Sequence, residues 1–128
     1  MNKYNAKKVE TADGVFDSRK EYQRYCELKL LERGGKIRNL RRQVEFGLLP
    51  AQRKASTEVY KAGPQKGLPK PGAVIEKAVN YVADFCYEKD GKLIVEDVKG
   101  CRKGAAYDLF VIKRKLMLYI HGIRVKET

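Results

Sequence analysis

The stretch YVADFCYEKDGKLIVEDVKG, residues 81–100, decides the fold. Two runs rich in β-branched and aromatic residues flank Asp90-Gly91. This pattern is typical of a two-residue hairpin turn, which needs positive φ angles. With the turn centred there, the numbers of facing residues add to 181, so Asp84 faces Asp97. Facing Cβ atoms of antiparallel strands are about 4.5–5.5 Å apart. The sequence therefore predicts two carboxylates held face to face in mid-strand.

Two carboxylates this close in apolar surroundings need a counter-ion, and a hard divalent cation is the natural candidate. Lys99 shares the strand parity of Asp97, so it points to the same face, whereas Glu96 points to the other. We therefore expect Glu96 to be a structural ion-pair partner or a support for the site. The alternative is that these acids are solvated, since acids are common near hairpin turns. The acid on the facing strand favours the metal site.

Composition limits the partners and the class of protein. The 128 residues contain 28 Lys+Arg and 16 Asp+Glu, a net charge of +12, which indicates a polyanionic partner. No apolar run is long enough to span a membrane, and no signal-peptide h-region is present, so we expect no membrane and a cytoplasmic location. Three cysteines without a C-x-x-C pair favour reduced thiols. A single histidine argues against a histidine-rich metal site.

The remaining patterns predict an α/β fold in which helices flank a mixed central β-sheet. Ser18 and Gly34-Gly35 bound a first helix, and Gly122 ends a second one. The second helix carries an apolar stripe of Leu109, Ile112, Leu116 and Ile120, typical of a face turned to the core. The predicted elements are a strand pair around 12–14, a helix at 18–33, one or two strands at 36–50, the hairpin, a helix at 105–121 and a strand at 123–126.

Residues 51–78 differ from the rest of the predicted single domain, 1–128. All four prolines of the chain lie between Pro50 and Pro71, among glycines and basic residues. A structureless loop of this length is usually functional or disordered. The sequence predicts a basic loop or flexible flap, either an arm that grips DNA or a mobile surface insertion.

Four segments together resemble the PD-(D/E)xK nuclease superfamily. They are Asp17–Glu21, Gln43–Phe46, Tyr81–Phe85 and Val95–Gly100. More narrowly, the chain resembles a family of small phage-borne proteins of unknown function within that superfamily. Similar patterns occur in Holliday-junction resolvases of archaeal type and in transposon-end-cleaving nucleases. The resemblance covers about residues 4–50 and 79–125 and implies a restriction-endonuclease-like core. It departs from the superfamily at Ala83, where a proline usually precedes the first acid.

The resemblance implies that Asp84 and Asp97 hold Mg²⁺, for which Mn²⁺ would substitute, with the backbone carbonyl of Val98 as a third oxygen. Lys99 would orient the attacking water or stabilise developing charge. It would act as a base only if its pKa fell well below about 10.4, so we favour the positioning role. Glu21 matches the acid supplied by the first helix of the superfamily. It also completes a capping box with Ser18, and the two roles are alternatives.

Basic residues near the predicted site are candidates for binding DNA phosphates. Lys113 lies on the apolar stripe of the second helix, either as a snorkelling side chain or as a phosphate contact. Gln43 is better explained as a strand-surface glutamine, and Tyr107 as a core residue. No base-reading element such as a recognition helix is present. The predicted DNA-binding set is Lys113, Arg102, Lys103, Arg41, Arg42 and Lys54.

The leading hypothesis from these features is a metal-dependent endodeoxyribonuclease. Branched DNA, such as a Holliday junction, is the preferred substrate because a small nuclease without a base-reading module must select by shape. A homodimer would bring two sites to two strands, in the cytoplasm of a bacterial host if a phage encodes the chain. The rival hypothesis is a non-catalytic, basic nucleic-acid-binding module whose acids only pair with lysines. A structural phage or ribosome-associated protein is a third option, which leaves the facing acids unexplained.

Overall fold

The structure, a computed structural model, describes residues 7–128. Residues 1–6, which belong to the predicted domain and to the start of the resemblance, lie outside this range. The elements in chain order are β1 (Val9–Thr11), β2 (Gly14–Phe16), α1 (Arg19–Arg33), β3 (Arg38–Leu49), β4 (Gln52–Arg53), β5 (Val74–Glu76), β6 (Val79–Lys89), β7 (Lys92–Asp97), α2 (Ala105–His121) and β8 (Lys126–Glu127).

A four-stranded sheet in the order β3-β6-β7-β8 forms the centre of the fold. Strands β6 and β7 are antiparallel, and β7 and β8 are parallel, so the sheet is mixed. Two helices flank it. The predicted α/β class is therefore confirmed.

The β6–β7 hairpin has the predicted register. Phe85 pairs with Glu96 and Lys89 with Lys92, so facing residue numbers add to 181. The turn consists of Asp90 and Gly91, whose φ angles of 52° and 75° are both positive. Such a turn matches the right-handed twist of the strands, which explains why this dipeptide was informative.

Both helices lie where the sequence placed them, within one residue. Helix α1 begins after Ser18, whose Oγ accepts a hydrogen bond from the backbone N–H of Glu21, and it is capped at Gly34. Helix α2 is capped at Gly122, which has a left-handed φ of 68°. Residues Ala12 and Asp13 connect β1 and β2, as predicted.

The buried face of α2 differs from the prediction. Leu109 and Ile112 of the predicted core stripe are 54% and 55% exposed, while Phe110 and Met117 on another face are buried. Phe110 packs against Tyr81 of β6, with ring centroids 6.1 Å apart. The helix carries apolar residues on two faces, so its periodicity did not identify the one that contacts the sheet.

Two strand boundaries also needed the structure. Residues 36–50 form one strand, β3, rather than two. The last strand, β8, begins at Lys126 instead of Ile123. The reason is that the N–H of Ile123 still donates to the carbonyl of Met117 and completes the end of α2.

The chain divides into two compact units, one of residues up to Phe46 together with Tyr81–Thr128, the other Gly47–Asn80. The first contains a buried cluster of Leu28, Ile37, Phe85 and Tyr87. The second contains the antiparallel pair β4–β5 and a bridge from Val59 to Pro69, within the segment that the sequence predicts as a long loop or flexible flap. Over residues 7–128, no helix is both long and apolar enough to cross a membrane.

Candidate active site

Asp84 on β6 is the centre of the candidate site. It is half-buried, and its Oδ2 accepts a hydrogen bond of 2.8 Å from the backbone N–H of Val98. Burial, followed by the negative charge of Asp97, raises the pKa of Asp84 to about 8. One further step along the hairpin register places Asp84 opposite Asp97. Burial is the larger cause of the raised pKa, and the facing carboxylate of Asp97 adds to it.

Asp97 and Lys99 lie together on one face at the end of β7, as strand parity predicted. Lys99 Nζ is 2.9 Å from Asp97 Oδ1, and the hydroxyl of Tyr81 donates a 2.5 Å hydrogen bond to Asp97 Oδ2. The ammonium group of Lys99 also lies 3.7 Å from the ring centroid of Phe110. Packing of α2 on the sheet therefore holds Lys99 in position in addition to completing the core.

Glu21 in the first turn of α1 is fully buried at 1% exposure. Its Oε2 accepts the backbone N–H of Asp17 at 2.8 Å, and its own N–H donates to Ser18 Oγ at 3.0 Å. The side chain of Glu21 thus accepts from the backbone of Asp17, the residue before the N-cap, and not from the N-cap residue Ser18. The same carboxylate also lies beside Asp84, and its role as a metal ligand stays a prediction.

Gln43 joins the two acids. Its Nε2 donates to Glu21 Oε1 at 3.1 Å and lies 3.4 Å from Asp84 Oδ1. Gln43 is an exposed residue of β3, as predicted for a strand-surface glutamine, but its amide also reaches the two acids. Its φ of 51° is in the left-handed region, which is uncommon within a strand. Alternation puts Arg41 and Glu45 on the same strand face, so nothing in the sequence singled out the glutamine.

Three carboxylates could share a cation. One oxygen from each of Asp17, Glu21 and Asp84 lies within 4.8 Å of the others. Hard carboxylate oxygens are the ligands that Mg²⁺ and Mn²⁺ take in proteins, so the donor set fits the predicted metal. The prediction included Glu21 and Asp84 but not Asp17. In the part of the chain that is described, Asp97 lies outside this group, with both oxygens engaged by Tyr81 and Lys99.

The backbone of Val98 contacts Asp84 through its N–H group. Ligation by its carbonyl remains a prediction.

Glu96 is buried and forms an ion pair, which confirms one of its two predicted roles. Arg24 Nε and Nη2 donate to its two oxygens at 2.8 and 2.7 Å, and the hydroxyl of Tyr87 donates to Oε2. Burial opposes ionisation of Glu96, but the guanidinium and the hydroxyl outweigh it and lower its pKa. This pair ties α1 to β7 directly beside the site.

The predicted DNA-binding residues divide into engaged and exposed side chains. The guanidinium of Arg42 lies 3.6 Å from the ring centroid of Phe16 and donates to the carbonyl of Val15, so it packs against β2. Arg102 lies 3.4 Å from Glu127, which also accepts the hydroxyl of Tyr107. Lys113 is half-buried on α2. The exposed members are Arg102, despite its contact with Glu127, together with Arg41, Lys103 and, in the Gly47–Asn80 unit, Lys54.

Replacing Gln43 by leucine is expected to destabilise the metal-free protein by about 1–2 kcal/mol, because Glu21 loses a donor. Added Mg²⁺ should narrow this difference, since a cation satisfies the same oxygens. Thermal unfolding in EDTA and in Mg²⁺ measures both effects, with Gln23→Leu on the exposed side of α1 as control. An equal loss of stability with and without Mg²⁺ would contradict the assignment of these oxygens to a metal.

A protein-family model described as a protein of unknown function (DUF1064) matches residues 1–125 of the chain. No curated protein and no solved structure matches it.

Proposed function

We propose that this chain, which belongs to the DUF1064 family, is a divalent-metal-dependent endonuclease. It would hydrolyse phosphodiester bonds of DNA. The observation that carries the proposal is the convergence of Asp84, Glu21, Asp97 and Lys99 at the end of one hairpin. Their arrangement supports the resemblance to the PD-(D/E)xK superfamily and a restriction-endonuclease-like core. A solvated set of acids would not require a buried Glu21 or a raised Asp84 pKa.

Each residue has a role that follows from its contacts. Asp84 and Glu21 would hold Mg²⁺ or Mn²⁺, together with Asp17 or with Asp97. A bound cation lowers the pKa of its water and neutralises charge on the scissile phosphate. Lys99, fixed by Asp97 and Phe110, presents a positive charge beside the carboxylates and stabilises negative charge on the phosphate. Gln43 keeps Glu21 and Asp84 together before the metal binds.

The net charge of the chain supports a nucleic acid as the substrate. A net charge of +12 favours binding to phosphates independently of sequence, and such binding weakens with salt. We propose branched DNA as the preferred substrate, because shape is then the basis of selection, and a homodimer as the form that cuts two strands. Free Cys26, Cys86 and Cys101 fit a reducing cytoplasm, such as that of a bacterial host of a phage.

The test compares wild-type protein with Asp97→Ala on an end-labelled four-way junction and on a matched linear duplex, in Mg²⁺, Mn²⁺ or EDTA. We expect the wild type to cut the junction in either metal and not in EDTA. The variant should bind DNA at least as tightly without cutting, because one negative charge is removed. Glu88→Ala, an exposed acid of the same hairpin, is the control and should cut like the wild type.

A second candidate function is supported by the Lys99–Asp97 ion pair, which is what a binding module with internally neutralised acids would contain. Wild-type protein that binds the junction but cuts it in neither metal would favour this non-catalytic module. Cutting by Asp97→Ala at the wild-type rate would overturn the assignment of Asp97. Equal cutting of junction and duplex would replace junction resolution by general nicking.

A further inference from the structure

The outer face of α2 carries a stripe of four apolar residues: Leu109, Ile112, Leu116 and Tyr119. Their spacing of three, seven and ten residues keeps them on one side of the helix. Leu109 and Ile112 are more than half exposed, and Tyr119 is 89% exposed. The helix already contacts the sheet through Phe110 and Met117 on another side, and of the stripe only Leu116 is half-buried. A contiguous exposed apolar stripe of this kind marks an interaction site.

We infer that the outer stripe is the interface through which two copies of this chain pair, with their α2 helices antiparallel. The choice of a second copy rests on the charges beside the stripe. Asp108 and Lys115 are seven residues apart and therefore flank the stripe on the same side. A two-fold axis that relates antiparallel helices brings each flank against the same flank of the second copy.

The charges also select the register. An axis that crosses α2 near residue 111 places Asp108 opposite Lys115 of the second copy, and the reverse contact forms by symmetry. Leu109 then packs between Ile112 and Leu116 of the second copy. An axis near residue 115 would instead bring the two Lys115 side chains together, which is unfavourable. On the flank of Asp108 and Lys115, the surface is thus self-complementary in one arrangement, in both apolar contacts and charge, while Lys113 on the opposite flank is half-buried.

A nucleic acid fits this surface poorly. The four side chains of the stripe are uncharged, Asp108 would repel phosphates, and Lys113 at the opposite edge of the stripe is half-buried, although the chain as a whole is strongly basic. The outer stripe would be the surface of the homodimer in the proposed function, and only the biological purpose of pairing rests on that function. Its test measures mass and not cutting, so the failure of one is distinguishable from the failure of the other.

The test is sedimentation of the full chain without DNA across a dilution series. We expect a species of twice 14.7 kDa for the wild type and a monomer for Ile112→Asp. Asp108→Lys and Lys115→Asp, each alone, should weaken pairing at least about tenfold, because each sets like charges opposite each other. The double reversal, Asp108→Lys with Lys115→Asp, should restore pairing close to the wild-type value, since the charges are only exchanged.

Glu88→Lys, on the exposed side of the hairpin, controls for the change in net charge and should leave pairing unchanged. Circular dichroism of each variant tests whether it is folded. Lys115 lies in the interior of α2, so Lys115→Asp, unlike Asp108→Lys, does not change the charge near the helix N-terminus. A wild type that is monomeric throughout the series overturns the inference. A dimer that survives Ile112→Asp and both single reversals places the interface elsewhere and overturns it too. Failure of the double reversal to restore pairing overturns the antiparallel register.

Discussion

Replacing Asp84 by asparagine is expected to reduce metal-dependent cutting at least about a thousandfold, because ligation and charge neutralisation by a cation contribute several kcal/mol to the transition state. The same substitution should stabilise the metal-free fold. The pKa of Asp84 is raised to about 8 in the folded state, whereas the unfolded chain releases this proton near about pH 4. The folded state of the wild type therefore loses stability as the pH rises between these values.

Asparagine removes this loss and still offers an oxygen to the N–H of Val98. Because solvent at the exposed edge of Asp84 screens part of the repulsion, we expect a gain of about 1–3 kcal/mol above pH 8. Urea unfolding in EDTA at pH 5 and pH 8.5 measures it, and the gain should be larger at the higher pH. Asp90→Asn in the exposed turn of the same hairpin is the matched control, since asparagine accepts its positive φ of 52°.

The opposite result is equally informative. If Asp84→Asn lowers stability at both pH values while cutting persists, then Asp84 is an ordinary structural acid. In that event the facing carboxylates neither repel each other nor bind the metal.

Replacing Arg24 by methionine is expected to destabilise the protein by about 3–5 kcal/mol, because it leaves the fully buried carboxylate of Glu96 without its cation. Methionine retains most of the volume of the side chain, so the loss reports charge rather than packing. Urea unfolding near pH 7 measures it. Since a lowered pKa stabilises the fold only where the acid is ionised, the loss should shrink as the pH falls below the ordinary pKa of a glutamate.

Two further variants separate this effect from charge removal in general. Lys29→Met breaks the more exposed pair with Glu32 on the same helix, and should change stability by no more than about 1 kcal/mol. Adding Glu96→Gln to Arg24→Met should recover part of the loss, because no ionised group then remains buried. A double variant as unstable as the single one would show that the hydrogen-bonding geometry, and not the unpaired charge, determines the cost.

The sequence predicted those parts of the fold that depend on local chemistry. Asp90-Gly91 determined the turn, the turn determined the register, and the register brought Asp84 opposite Asp97. Ser18 and Gly122 marked helix ends because capping satisfies backbone groups within a few residues. Lys99 was placed correctly for the same kind of reason, since strand parity alone determines its face.

What the sequence did not predict depends on contacts between distant elements. The inner face of α2 was assigned to Leu109 and Ile112 because their periodicity was as good as that of Phe110 and Met117. Gln43 reaches the acids from a position of β3 with a positive φ, and no residue type there indicated that conformation. The role of Arg42 was likewise invisible, since its contact with Phe16 joins elements that are far apart in the chain.

The two-residue turn of the β6–β7 hairpin also restricts how this family can evolve. A single residue inserted or deleted in the turn would change the strand parity between the hairpin arms and carry Asp97 and Lys99 away from Asp84. Members of the family should therefore differ freely in the composition of this turn and in the exposed positions beside it. Length changes there should occur only in forms that leave the facing pair in register, such as a compensating bulge. We therefore expect the family to preserve the length of this loop more strictly than its sequence.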